Sequence, residues 1–344
     1  MIITRTPFRI TLGGGGTDLP SFYGQHGGYV FTMAINKFMY IMLHKLPVVE
    51  RKSIIRYSQV EYVSSFEEIK HPLAREAFKL HGIRDYVELA SMADMPARTG
   101  LGSSGSYLVG LLAALRAYQR QSIDPAEIAE EACHIEIDIL KEPVGKQDQY
   151  IAAFGGFRTL AIGKDGRVEV NTVPVDLMTA AELTQKARIY YTGIQRSATT
   201  ILSTQDAAAK SEQATDHTLV MDMLCRIKEI GREIETAFRQ RDLDAFGKLM
   251  DAHWQCKRRM SKNISLTSIE ELYEKLKKDF GVLGGKIIGA GGGGFLMLYC
   301  PARGRELDAF MLAQGMPPVV YFPSRDGVRV VSDLTTYDDF DVGG

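Results

Sequence analysis

The segment MIITRTPFRITL alternates between apolar and polar positions, the period of a β-strand, and this places Arg9 on the face opposite Phe8 and Ile10. Residues 1–62 read as strands, Tyr29–His44 being a long apolar-rich one, and Asp85–Ala93 reads as another. MPARTGLGSSGS then breaks the pattern. Beyond it Leu108, Leu111, Leu112 and Leu115 recur at helical spacing and predict a helix from about Ser104 to Gln119. A second helix start lies at Asp124-Pro125-Ala126-Glu127: an aspartate that can cap, a proline suited to the first turn, and a glutamate three residues after the cap. Pro143 and Gly145 stop that helix, predicted to run to about Lys141. Phe157–Ile162, Val168–Val173 and Arg188–Tyr191 read as strands. From about Asp216 the chain turns helical, with Leu219, Met223, Ile227, Ile230, Ile234 and Phe238 forming one apolar stripe, a core face. Ser268-Ile269-Glu270-Glu271 is a second capping box, and Gly285–Gly294 and Phe295–Cys300 read as two strands around a glycine turn. The order strands, helices, strands, helices, strands predicts an α+β protein of two lobes, residues 1–180 and 181–344, dividing within 175–190.

Composition narrows the function. The 344 residues are 45% hydrophobic and 24% charged, with 41 basic and 42 acidic side chains and a formal net charge of −1. No basic excess is available to hold a nucleic-acid backbone, so any phosphate must be bound by a few well-placed groups. No apolar run approaches the roughly 20 residues of a membrane span, and the N-terminus lacks the apolar core of a signal peptide. Cys133, Cys225, Cys256 and Cys300 lie far apart without CxxC spacing, which predicts reduced thiols and a cytoplasmic location. His134, His217 and His253 show no metal-ligand spacing, and Trp254 reads as core.

Glycine is concentrated in three places: Gly13–Gly16, Gly100/Gly102/Gly105, and Gly289 with Gly291–Gly294. Four glycines in a row are entropically costly to order, and close approach of the backbone to a ligand is a reason to bear that cost. In the middle segment, Pro96 to Ser106, a glycine loop runs into a helix. Backbone N–H groups and the helix dipole there favour an anion such as a nucleotide phosphate. The hydroxyls of Ser103, Ser104 and Ser106 can donate to phosphate or ligate Mg²⁺, a hard ion that prefers oxygen. GxxxxGK[ST] is absent, so this is not the common P-loop, and GxGxxG is not met.

Pro96–Ser106 resembles the phosphate-loop motif P-x-x-x-G-L-G-S-S of the GHMP kinases. Pro7–Asp18, PFRITLGGGGTD, resembles that family's first motif, and Lys286–Leu296, KIIGAGGGGFL, its third. The three occur in the family's order across nearly the whole chain. Within the superfamily, the GGGGTDLP start is most similar to the heptose 7-phosphate kinases. Galactokinases usually carry G-E-H-x-D, so a role for that glutamate and histidine does not transfer.

The resemblance implies a two-lobed α+β kinase using ATP and Mg²⁺. The first lobe would hold the nucleotide and the catalytic aspartate; the second would bring the third motif and substrate contacts. ATP contacts fall on Arg98, Thr99, Gly100, Leu101, Gly102, Ser103, Ser104, Gly105 and Ser106. Glu136 and Asp148, twelve residues apart, are similar to a galactokinase-like pair: Mg²⁺ ligation by Glu136 with Ser104, and a catalytic base at Asp148. Phosphoryl transfer is mostly positioning and charge stabilisation, so a cation near the transferred group is also expected, from Arg9 or Lys146. Sugar contacts are implied for Gly15, Gly16, Thr17, Asp18, Asp148 and Gly292. A distal phosphate on the sugar would need cations of its own, with Arg196, Lys146 and Arg98 as candidates. The implied reaction converts D-glycero-D-manno-heptose 7-phosphate and ATP to the 1,7-bisphosphate, feeding activated heptose for surface polysaccharide. The alternatives are a 1-kinase of a free hexose such as fucose or galactose, and a silent GHMP-fold binding protein. The oligomeric state, including a homodimer, stays open.

Overall fold

The computed structural model describes residues 1–47, 51–97, 99–194, 214–260, 267–289 and 293–335. Arg98, Arg196 and Gly292, assigned above to ATP and sugar contacts, lie outside the described residues, as does the side chain of Ser268.

Two sheets organise the described chain. The first has β1 (Ile2–Gly13) and the long β2 (Gly28–Lys45) at its centre. Beyond β2 it continues through β5 (Val87–Ala93), β3 (Ser53–Arg56) and β4 (Val60–Val63). The other half of β2 pairs with β6 (Phe157–Ile162), which pairs with β7 (Val168–Thr172). Every pairing is antiparallel except β3 with β5. The second sheet begins at β8 (Ala187–Tyr191) and runs in the order β11 (Pro318–Val319), β8, β10 (Phe295–Tyr299), β9 (Gly284–Ile287). The C-terminal strand β12 (Arg329–Asp333) does not stay with this sheet. It crosses back and pairs antiparallel with β1. One apolar core reaches both sheets, joining Ile10 and Leu108 to Ile189, Phe246 and Met297.

Helices cover these sheets. A short α1 (Pro20–His26) follows the first glycine run, and α2 (Pro72–His81) precedes β5. α3 (Ser103–Tyr118) is apolar almost all round and packs against β1 and β2 with most of its residues buried. α4 (Pro125–Cys133) begins as its sequence dictates, with Asp124 accepting from the N–H groups of Ala126 and Glu127 at 2.9 and 3.1 Å. It does not continue regularly to Lys141. His134–Ile139 form a wider π-type turn, which changes the helical phase and buries two successive side chains, Ile135 and Glu136. α5 (Gln147–Phe154) follows, then α6 (Leu177–Lys186), α7 (Ala214–Arg239), α8 (Leu243–Met260), α9 (Thr267–Phe280) and α10 (Gly304–Ala313). The stripe on α7 buries Ile227, Ile230, Ile234 and Phe238 as expected. Leu219 departs from it and is exposed, Val220 and Leu224 taking the inward positions against Phe22 of α1.

Candidate active site

A cleft of about 110 Å³ opens where β1, the α3 N-terminus, the α5 N-terminus, α8 and β9 converge. Arg9 reaches it from β1 because strand alternation turns residues 9 and 11 away from the face that buries Phe8 and Ile10. Its guanidinium grips Asp148, in the first turn of α5, with both ends of the fork: Nε to Oδ1 at 2.7 Å and Nη2 to Oδ2 at 3.0 Å. Nη1 donates to the Gly100 carbonyl. Bidentate pairing fixes the plane of the carboxylate as well as its position. Asp148 remains partly open to the cleft, its side chain 24% exposed.

Asp18 sits beside it, 1% exposed. Its carboxylate accepts from Gly16 N at 3.1 Å, Gln147 N at 3.1 Å and Gln147 Nε2 at 3.2 Å. Burial pushes its pKa above the usual carboxylate value, and the hydrogen bond from the Gln147 N–H opposes that shift. A helix-capping role does not apply: α1 is capped by Leu19 without a side-chain bond. Gly15 and Gly16 line the cleft with Asp18. Gly145 must lack a side chain, since a Cβ there would lie 2.0 Å from Asp18 Oδ2.

Ser103 and Ser104 face the cleft at the start of α3, which Gly102 opens without a capping side chain. The first-turn N–H groups are therefore free to receive an anion. Ser104 hydrogen-bonds Glu136, which also accepts from Gln149 Nε2. Glu136 is only 2% exposed, and desolvation pushes its carboxyl up to about 7. A buried carboxylate beside a serine hydroxyl is a hard-oxygen pair that fits Mg²⁺. The described residues hold no cluster of three or more His, Cys, Asp or Glu that could bind a metal alone, so such an ion would need phosphate oxygens to complete its shell.

Several expected residues do not join the site. Lys146 is turned away: its Nζ donates to both Glu130 carboxylate oxygens at 2.9 Å and to the Gly166 carbonyl at 2.8 Å, which uses all three ammonium protons. It lies beside Asp148 in sequence only. Thr17 is a staple inside the first glycine turn, bonding the Gly14 and Tyr29 carbonyls at 2.8 Å, and is fully buried. Ser106 donates to the Pro7 carbonyl at 2.8 Å on the strand side of α3. Thr99 donates to Pro96 O at 2.8 Å, Leu101 is core and accepts from Arg9 N at 3.1 Å, and Gly105 packs on the Asp148 backbone. The glycine clusters also approach each other more than expected. With φ +85°, Gly100 would put a Cβ 2.3 Å from the Ile288 carbonyl, so the second and third motifs touch backbone to backbone.

Three residues escaped sequence reasoning. His253 and Lys257 of α8 and Lys286 of β9 line the same cleft. Their traces in the sequence were faint: an i, i+4 pair of basic side chains on an amphipathic helix, and one lysine inside the apolar run GGKIIG.

The chain is similar in sequence and in structure to known proteins. The GHMP kinases N terminal domain matches residues 67–156, and the GHMP kinases C terminal matches residues 234–310. The chain belongs to the GHMP kinase superfamily. It is 27% identical over 317 residues to the D-glycero-alpha-D-manno-heptose 7-phosphate kinase of Campylobacter jejuni, covering 87% of this chain and 89% of that protein. It is 26% identical to the L-fucokinase/L-fucose-1-P guanylyltransferase of Bacteroides fragilis, across 86% of this chain and 34% of that one. The crystal structure of a D-glycero-D-manno-heptose 1-phosphate kinase from Bacteroides thetaiotaomicron superposes with a TM-score of 0.78 at 20% identity, over 97% of this chain and 100% of that one, and so shares the fold. The α+β GHMP kinase fold and an ATP-dependent phosphotransferase activity of the sugar-kinase kind follow. Among the described residues no helix is long and apolar enough to cross a membrane.

Proposed function

We propose that this GHMP kinase transfers the γ-phosphoryl group of ATP to the anomeric hydroxyl of D-glycero-D-manno-heptose 7-phosphate. The observation that carries the reaction type is the Arg9-clamped Asp148, in the same cleft as the open N-terminus of α3. The similarity to the Campylobacter jejuni kinase supports the choice of sugar.

In this reading the nucleotide phosphates lie against the N–H groups of Ser103 and Ser104. Ser104 and Glu136 hold Mg²⁺, which neutralises phosphate charge. Asp148 accepts a hydrogen bond, and late in the reaction the proton, from the anomeric hydroxyl. Such a late transfer fits a loose transition state. Arg9 keeps the carboxylate aimed and supplies positive charge near the nucleophile. Asp18 and the Gly15–Gly16 backbone receive sugar hydroxyls. The first lobe, residues 1–180, contributes most of these groups, while 181–344 adds α8 and β9. ATP supply is consistent with a cytoplasmic enzyme, and a nucleotide-activated heptose route would consume the product.

The match to a fucokinase-containing protein favours one second reading, a free-hexose 1-kinase. Incubating the protein with ATP, Mg²⁺ and a panel of free and phosphorylated heptoses and hexoses, then locating the new phosphate by NMR, separates the two. The 1,7-bisphosphate is expected from heptose 7-phosphate. Turnover confined to free hexoses would install the second reading, and no sugar-dependent ATP consumption would leave only a binding protein.

A further inference from the structure

We propose that His253, Lys257 and Lys286 form the subsite for the phosphate that the sugar already carries when it binds. The proposal rests on the sugar-phosphate reading above and moves the distal-phosphate contact from Lys146, whose ammonium is fully engaged elsewhere.

The three side chains are 1, 5 and 3% exposed and share the cleft with Arg9, Asp18 and Asp148. Their hydrogen bonding is incomplete. Lys257 Nζ donates to the Gly289 carbonyl at 2.9 Å and Lys286 Nζ to the Leu12 carbonyl at 2.8 Å. An ammonium has three donors, and these are the bonds each makes among the described residues. Both ring nitrogens of His253 are buried without a partner. No described carboxylate lies within ion-pair distance of either lysine. Asp18 attracts Lys257 from further off, while Arg9 repels both lysines and Lys257 repels Lys286. Burial and this crowding hold the Lys257 ammonium down to about 8, and hold Lys286 and His253 well below their ordinary values.

Close packing brings the cluster together. Gly247 of α8 lies directly on Gly284 of β9, where a Cβ would come within 1.9 Å of the Gly247 carbonyl. Further along the same helix, His253 and Lys257 stand one turn apart on the face that meets the strand carrying Lys286. Two buried ammoniums without a carboxylate are costly to maintain. A neutral sugar hydroxyl would supply hydrogen bonds but no charge. A tetrahedral dianion supplies both, accepting from several directions at once. The α3 N-terminus and the Ser104–Glu136 pair, in the same cleft, are left for the nucleotide.

The test is steady-state kinetics of wild type, Lys257→Met and Lys286→Met, with heptose 7-phosphate, with the unphosphorylated heptose, and with varied ATP. Losing one charge-assisted contact, about 1.5–3 kcal/mol, should raise KM for heptose 7-phosphate roughly 10- to 150-fold. KM for the free sugar and for ATP should hold. An equal fall in kcat on both sugars, or a raised KM for ATP, would overturn the proposal and put the cluster on the transferred phosphate. Unchanged kinetics would also refute it. Melting curves check folding, and methionine, removing a buried charge of similar length, should leave the melting temperature at or above wild type. If wild type turns over no sugar phosphate, the substrate reading has failed. The subsite is then judged by calorimetry with inorganic phosphate: binding to wild type that is lost in both variants supports it, and no difference overturns it.

Discussion

Glu136 is the residue whose environment makes the sharpest quantitative demand. Its carboxyl is raised from an ordinary 4.5 to about 7, mainly by desolvation, with bonds from Gln149 and Ser104 offsetting part of the rise. Between those two pH values the folded protein holds a proton that the unfolded chain has released. Stability without metal must therefore fall as pH rises from about 4.5 to 7, and level off above. At about 1.4 kcal/mol per pH unit the loss approaches 3 kcal/mol. Glu136→Gln keeps the shape and can still accept from Gln149 and donate to Ser104, but carries no titrating group. Urea denaturation of both proteins, run in the absence of Mg²⁺ from pH 4.5 to 8, gives the comparison. The variant should gain up to about 3 kcal/mol on wild type across that range. Added Mg²⁺ with a non-hydrolysable ATP analogue should restore wild type at pH 8 and leave the variant unmoved. A stability difference that does not change with pH would refute the claim that burial governs this carboxyl. A variant stabilised by the metal–nucleotide pair as much as wild type would remove Glu136 from the metal site.

Asp148→Asn should lower kcat by about 10²- to 10⁴-fold while ATP binding, followed by calorimetry, is retained; a loss nearer tenfold would make Asp148 an orienting group, and wild-type turnover would take it out of the reaction. Lys146→Met should cost about 1–3 kcal/mol of stability, because it takes a donor from the Gly166 carbonyl and leaves the Glu130 carboxylate without its counter-ion, held by the Tyr150 hydroxyl. Its kcat and both KM values should stay near wild type, and a KM increase confined to the sugar phosphate would return Lys146 to the site.

The glycine loops were readable from the chain because their requirement is local: a backbone that turns sharply and a helix that starts with open N–H groups. Ser103 and Ser104 followed from the same argument. Ser106 did not, since the helical phase carries it past the cleft to the Pro7 carbonyl. Burial of Glu136 depended on a π-type turn that no residue in HIEIDI announces. The Arg9–Asp148 clamp joins residues 139 positions apart; alternation could say which face Arg9 took, but only pairing of β1 with its neighbours and packing of α5 beneath α3 could say what it met.

Periodicity and caps thus decided where most strands and helices lie, because those signals act over a few residues and compete with little else. Long-range packing decided which polar side chains share a space. Lys146 and Lys286 look alike in sequence, each a lysine near a motif. One is neutralised by Glu130 on a neighbouring helix, and the other faces the cleft with a single bond, to the Leu12 carbonyl, among the described residues. A side chain's charge is written in the chain, but its partners are chosen by elements far away in sequence. The function of a buried cation depends on those partners.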